Sequence, residues 1–341
     1  MEFLTVLMLV IGFVVAFAIG SNDETMSPAV GARVFSVKVA VSIGMIINFI
    51  GAVSLGGGVS EKVGSDLVSN NTLTTEMIFG ILISMAIWLL VASATKGLPI
   101  STTQCIVGSV IGVVFAAPLF GITGWGVDAI DWAVLSEIFL GWVISPLIGF
   151  LFAAAIFSGV RRLQLRASGF YGRERQERIA AYGLAVFLIW TGLSRGGNDV
   201  ANAVAPLVAL PDFQTPLQIG VLSIPGIYIP LIVGGLGMGL GLIIIGRKVI
   251  QTLATEVVEL TPASALSASI SVAVIMFIGT FLGLPLSGTH VLVAALIAVG
   301  YVSHTSVRMK QVKNILISWV ITVPISAALG VLVYGAILMF V

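Results

Sequence analysis

Long apolar runs recur along the whole chain, at 3–20, 39–55, 77–94, 132–157, 180–193, 219–246, 266–282 and 315–341, some interrupted by Gly or Pro. About 18 to 20 such residues suffice to cross the hydrocarbon of a bilayer. The remainder is poor in charge: 9% of residues are charged and 58% hydrophobic, against roughly 25% and 45–50% in a soluble domain. A soluble globule is excluded. A transmembrane barrel needs strands that alternate between lipid and lumen, and these runs are apolar on every face. The spans are therefore predicted to be helices, in an all-α polytopic membrane protein.

Sixteen Lys and Arg against fifteen Asp and Glu leave a net charge of +1, so no global field recruits nucleic acid. The single Cys105 lies in an apolar run and reads as a small buried residue. Glu2 stands where a signal peptide would be basic, so the first run is kept as a span. Basic residues mark the cytoplasmic side. The densest cluster, Arg161, Arg162, Arg166, Arg173, Arg175 and Arg178, makes its loop cytoplasmic and sets the rest of the orientation. The segments 125–131 and 60–76 then lie outside, and Arg33, Lys38, Arg247, Lys248, Arg308, Lys310 and Lys313 inside. Both termini fall outside, in a multi-pass protein of the cell membrane. The polar turns at 96–104 and 283–290 each have to enter and leave one face, which predicts re-entrant hairpins. The stretch 247–260 has Ile250, Leu253, Val257 and Leu260 at helical spacing. It reads as a helix lying on the inner membrane surface, or as an ordinary loop helix. Gly235 with Gly239, and Gly237 with Gly241, suit close helix approach.

Two short motifs occur twice in the same order. Gly20-Ser21-Asn22-Asp23 reappears as Gly196-Gly197-Asn198-Asp199, and Gly97-Leu98-Pro99-Ile100-Ser101-Thr102-Thr103-Gln104 as Gly283-Leu284-Pro285-Leu286-Ser287-Gly288-Thr289-His290. The offsets of 176 and 186 positions agree within a short insertion. The chain thus reads as a first repeat (1–160), a basic linker (161–178) and a second repeat (179–341). Each half crosses the membrane an odd number of times, so the second is inverted. Inverted repeats with broken helices at the midplane are the architecture of secondary transporters.

An ionised carboxylate at the membrane centre costs about 2.5–3.5 kcal/mol or more, so Asp23 and Asp199 need a compensating charge, which a bound cation supplies. Asn22, Asp23, Asn198 and Asp199 offer the hard oxygen ligands of Na⁺, or an acid able to carry H⁺. Glu24 follows the first pair only, and a salt bridge to Arg33 or Arg195 is its simplest role. Arg195 itself reads as either a salt-bridge partner or a gate. In the second motif Pro ends one helix and the next begins with unpaired N–H groups. Two such N-termini, with Ser101, Thr102, Thr103, Ser287, Gly288 and Thr289, form a pocket for a tetrahedral oxyanion without a buried Lys or Arg. Simple N-capping is the competing role of those hydroxyls. Gln104 and His290 occupy equivalent places, where His290 could donate to the anion, bind a cation, sense pH or merely pack.

The stretch Gly197-Asn198-Asp199-Val200-Ala201-Asn202-Ala203 resembles the signature of the inorganic phosphate transporter (PiT) family, and the paired Gly-Leu-Pro-x-Ser-x-Thr motifs match that family too. The resemblance spans both halves. It implies a fold of about twelve membrane segments and uptake of inorganic phosphate driven by Na⁺, or by H⁺ as in many bacterial members. Asn22, Asp23, Asn198 and Asp199 would line the ion site, and the 101–103 and 287–289 stretches would hold phosphate. The first signature departs from the pattern: Met26 stands where the second has Asn202. The chain is thus expected to be a phosphate symporter working by alternating access, with no enzymatic activity. Sulfate transport and an anion channel are the alternatives, and a homo-oligomer is compatible with either.

Overall fold

No water reaches backbone groups inside a bilayer, so each apolar segment must satisfy its own N–H and C=O groups, and a helix does so. The computed structural model describes residues 3–65, 67–68, 73–166, 169–208, 210–219, 222–282, 284 and 286–340. The first half holds α1 (Phe3–Ser21), α2 (Ser27–Gly31), α3 (Val37–Ser65), α4 (Thr75–Lys96), α5 (Thr102–Ala116) and α6 (Trp132–Arg166). The second holds α7 (Gly169–Val208), α8 (Pro211–Gln214), α9 (Tyr228–Gly241), α10 (Arg247–Glu256), α11 (Pro262–Phe281), α12 (Gly288–Ser303) and α13 (Met309–Leu338). A short antiparallel pair, β1 (Leu217–Ile219) with β2 (Leu222–Ile224), is the one sheet among the described residues, and an isolated antiparallel bridge joins Val68 to Ile130. Among those residues eight helices are long and apolar enough to span a membrane, and two shorter apolar ones cover Thr5–Ser21 and Gly288–Ser303. The protein is a polytopic helical membrane protein, with ten apolar helices where the resemblance implies about twelve segments.

Helix packing is reciprocal between the halves. α3 lies along α7 as α9 lies along α1, α13 lies along α5 as α6 lies along α12, and α4 meets α5 as α11 meets α12. The glycines of α9 allow its tight seat between two neighbours: Gly237 and Gly241 face backbone carbonyls of Phe13 and Phe17 on α1, while Gly235 and Gly239 face Phe49 and Met45 on α3.

The two hairpins are built by local capping. α4 ends on Gly97, whose φ of 60° lies in the left-handed region, where a residue lacking Cβ is favoured. After Leu98, Pro99 and Ile100, the hydroxyl of Ser101 caps α5. In the second hairpin Ser287 caps α12 in the same way. Gly283 and Pro285 of the second motif lie outside the described residues.

Three expectations change. The first Asn-Asp pair does sit at a helix break, between α1 and α2, but the second lies inside the continuous α7. The difference is local: after Asp23 come Glu24-Thr25-Met26-Ser27-Pro28, and Pro28 starts a new helix, whereas Val200-Ala201-Asn202-Ala203 continues one. The basic linker is not a loop, since 161–166 belong to α6 and 169–178 to α7, as the helix propensity of Arg, Gln and Glu favours. Finally, α10 turns its apolar residues Val249, Ile250 and Leu253 into the protein, where they are fully buried against neighbours that include α2, α3 and α4. It is a packed loop helix rather than a surface float.

Candidate functional site

The turn after α1, the middle of α7 and the tips of both hairpins meet in the interior. Arg195, on α7, is the hub. Its Nη1 lies 2.6 Å from Glu24 Oε1 and 3.8 Å from Asp23 Oδ1, and its Nη2 lies 3.2 Å from Asp199 Oδ2. All four side chains are buried. Arg195 and Asp199 are one helical turn apart on α7, so they share a face. Glu24 reaches them because the chain leaves helix at Asn22. The countercharge demanded by Asp23 and Asp199 thus comes from within the chain. This corrects the expectation of an oxyanion pocket without a buried Arg or Lys: carboxylates in a low-dielectric interior require a cation nearby, and Arg195 is that cation. Of the two partners weighed for Glu24, the structure selects Arg195.

One guanidinium does not balance three carboxylates. With Asp23, Glu24 and Asp199 ionised, the cluster carries two net negative charges. Asp23 is further stabilised by donors: Oδ1 accepts from the backbone N of Thr25 at 2.9 Å and from its hydroxyl at 2.5 Å, and Oδ2 accepts from Asn48 Nδ2 at 2.6 Å. Asn48, on α3, was not singled out from the sequence. It was signalled as the lone amide within the apolar run 39–55, since polar groups inside spans face functional interiors.

Each hairpin tip is tied to this cluster. Thr289 Oγ1 donates to Glu24 Oε1 at 2.9 Å, and Thr102 Oγ1 donates to Asp199 Oδ1 at 3.5 Å. The tips also touch each other, with Thr289 Oγ1 lying 3.5 Å from the carbonyl of Ile100. The asparagines hold the turns. Asn22 donates to the carbonyl of Leu98 and to Ser93 Oγ, both at 2.9 Å, while its own Oδ1 accepts from the backbone N of Ile100 at 2.9 Å. Asn198 donates to the carbonyl of Leu284 at 3.2 Å. Asn202 turns back to the carbonyl of Asn198 at 3.3 Å. Gly288 passes so close to the guanidinium that a Cβ there would sit 2.8 Å from Arg195 Cζ.

The other hydroxyls divide. Ser101 and Ser287 accept from the backbone N of Gln104 and His290 at 3.3 and 3.4 Å, as N-caps do. Thr103 pairs with Ser101 at 2.9 Å. Gln104 and His290 stand on the opposite side of the tips, in a groove with Trp142 and Trp319, where the His290 ring lies 3.9 Å from that of Trp319. No hydrogen bond links either to the carboxylates among the described residues.

Several buried oxygens around the cluster have no protein partner: Glu24 Oε2, Asn48 Oδ1, Asn198 Oδ1 and Asn202 Oδ1. Anionic and amide oxygens of this kind are the donor set of a hard monovalent cation. The Nε of Arg195 is likewise buried and unpartnered, a donor suited to an oxyanion.

Comparison with known proteins gives one consistent picture. The family model described as the phosphate transporter family matches residues 19–330. A candidate phosphate permease of Thermococcus kodakarensis is 29% identical, the match covering 96% of this chain and 96% of that protein. The inorganic phosphate transporter 2-1, chloroplastic, of Arabidopsis thaliana is 28% identical over 98% of this chain and 72% of its own. A solved structure titled the sodium-dependent phosphate transporter superposes with a TM-score of 0.83 at 27% identity, covering all of both chains.

Proposed function

Because the chain belongs to the phosphate transporter family, we propose that it imports inorganic phosphate by symport with Na⁺, by alternating access about the Asp23, Glu24, Asp199 and Arg195 cluster. It is a transporter rather than an enzyme. One observation carries the reading: the hydroxyls of both hairpin tips reach the same carboxylate cluster, Thr102 to Asp199 and Thr289 to Glu24. A cluster with two surplus negative charges repels phosphate until cations occupy it, so the two bind interdependently. Two Na⁺ also cancel the cost of moving a divalent anion into a negative interior, roughly 4.6 kcal/mol at 100 mV from about 2.3 kcal/mol per charge.

Roles follow from the contacts. Asp23, Asp199 and the free Oδ1 of Asn198 are the cation ligands, with Asn202 and Glu24 contributing their unpartnered oxygens. Asn22 spends its amide on hairpin one and acts there by positioning the tip. Thr102, Thr103, Thr289 and the amides at Gly288 receive phosphate, and Ser101 and Ser287 keep those amides oriented as caps. The reciprocal helix packing supports two inverted repeats, 1–160 and 179–341, about the basic segment 161–178. The charge pattern supports both termini outside a cell membrane. The name of the superposable structure supports Na⁺ over H⁺.

The test is phosphate uptake into proteoliposomes with Na⁺ and pH gradients imposed independently. Concentrative uptake following Na⁺ is expected, and it should survive excess sulfate. Uptake that follows pH alone reassigns the coupling ion. Blockade by sulfate reassigns the substrate, and uptake indifferent to both gradients describes a channel.

A further inference from the structure

α6 and α7 are 35 and 40 residues long, well beyond the ~20 that span the hydrocarbon. Their joined ends therefore project into the headgroup layer, and that is where the charge sits. The segment 161–178 carries Arg161, Arg162, Arg166, Arg173, Arg175 and Arg178 against Glu174 and Glu177. Both carboxylates are engaged elsewhere. Glu174 pairs with Arg178 at 3.0 Å. Glu177 accepts from Gln164 Nε2 at 2.7 Å and from the backbone N of Ala263 at 3.0 Å, and from no arginine among the described residues. No carboxylate pairs with Arg161, Arg162, Arg173 or Arg175 among the described residues.

These contacts also shape a cleft. Gln164 and Glu177 bridge the two helices, Arg161 is fastened to the carbonyl of Val302, and Arg161, Gln164, Leu165, Arg173 and Glu177 enclose a cavity of about 210 Å³. Planar guanidiniums converging on such a space suit a phosphate group. The surroundings decide which kind. Leu165, which lines the cleft, is 70% exposed, and Leu163, Ile179 and Tyr182 on the same two helices are exposed at 61%, 60% and 71%. A basic pocket rimmed by exposed apolar side chains fits a ligand with acyl chains, and an aromatic ring at that depth belongs to the membrane interface.

We propose that this cleft binds the headgroup of an anionic phospholipid, with Arg161 and Arg173 on the phosphodiester and Leu163 and Leu165 against its chains. The site is independent of the transport pathway and of the reading given above.

The experiment is native mass spectrometry of the purified full-length protein titrated with phosphatidylglycerol or phosphatidylcholine. Wild type should retain phosphatidylglycerol preferentially. Arg173→Gln, a change of an exposed side chain, should reduce that preference about fivefold, and Arg161→Gln/Arg173→Gln by the square of that factor, from about 1 kcal/mol per basic residue near an anionic lipid. Arg308→Gln/Lys310→Gln, an equal charge change elsewhere, should leave it intact. Added inorganic phosphate should not displace the lipid. The proposal is overturned by equal retention of both lipids in wild type, by an unchanged preference in both Arg173 variants, by an equal loss in the control, or by displacement with free phosphate.

Discussion

Aligned on their Asn-Asp pairs, the two signatures differ in charge at two places: Arg195 stands where the first copy has Ile19, and Glu24 where the second has Val200. In the folded chain these two departures touch, at 2.6 Å. The double replacement Glu24→Val with Arg195→Ile therefore restores the repeat pattern and removes a buried pair as a unit. At that distance the gross attraction is about 6 kcal/mol for an effective dielectric of 20. Most of it offsets desolvation, so losing the pair together costs less than deleting one partner, which leaves a buried charge unmatched at about 3–5 kcal/mol; the double variant still leaves Asp23 and Asp199 without the guanidinium. Arg195→Ile alone strands three carboxylates. Glu24→Val alone is milder, because Arg195 keeps Asp199 at 3.2 Å. The coupling between the two sites should be about 2–3 kcal/mol, or about 5 °C in the melting temperature of the purified protein. Charge arithmetic adds a second readout. With the carboxylates ionised, the surplus is two negative charges in the native protein and in the double variant, three in Arg195→Ile and one in Glu24→Val. Stabilisation by NaCl over choline chloride at constant ionic strength should follow that order, greatest for Arg195→Ile and least for Glu24→Val. Additive melting shifts, or identical Na⁺ responses in all four proteins, would refute the reasoning.

Further changes test the rest of the site. Asp199→Asn removes the charge and leaves one acceptor oxygen where Thr102 and Arg195 use two, and should raise the Na⁺ concentration for half-maximal uptake about 10- to 100-fold, a fraction of the about 4 kcal/mol that a charge at 4 Å is worth at an effective dielectric of 20. Asn48→Ala strips Asp23 Oδ2 of its 2.6 Å donor; a hydrogen bond to a charged group is worth about 1.5–3 kcal/mol, so Na⁺ affinity should fall by at least about tenfold, whereas a melting shift alone would make Asn48 structural. Thr289→Val keeps the shape and loses the hydroxyl that joins hairpin two to Glu24, so the KM for phosphate should rise about tenfold or more, for the about 1.5 kcal/mol or more that a hydrogen bond to a charged group is worth, while expression stays unchanged. Gly288→Ala pushes a methyl onto the Arg195 guanidinium and should abolish uptake at normal membrane abundance, which membrane-fraction immunoblots and uptake together would show.

The fold was legible wherever one physical constraint acts alone. Apolar length identifies helices, the Gly-Leu-Pro turn before Ser101 marks an interruption, and Ser287 caps α12 as Ser101 caps α5. What escaped were features set by tertiary contact. The apolar stripe of α10 says that a covering exists and not what it is; helix packing rather than lipid supplies it. The Gly-Gly of the second signature reads as a break, but its glycines serve packing: Gly196 and Gly197 meet the backbone of α3 near Asn48, Gly51 and Leu55, and the helix runs on. In the site, the convergence of Asn-Asp pairs and hydroxyl turns followed from repetition. Asn48 and the hub role of Arg195 did not, because each occurs once, and repetition cannot report a residue that one half alone contains.

That asymmetry bears on how such a site can move. Asp199 and Arg195 are carried one turn apart on an unbroken α7, so separating them means breaking several main-chain hydrogen bonds. The hairpin tips reach the carboxylates by single hydroxyls, Thr289 to Glu24 at 2.9 Å and Thr102 to Asp199 at 3.5 Å, while Asn22 and Asn198 hold the turns beside them. Each hydroxyl–carboxylate contact is worth about 1.5–3 kcal/mol, comparable to the few kcal/mol that separate alternating conformations. In the alternating-access cycle proposed above, α7 and its charges would be the fixed part and the hairpin tips the movable ones. Cations that neutralise Asp199 and Glu24 weaken both ties at once, so ion occupancy and hairpin movement are governed by the same two carboxylates.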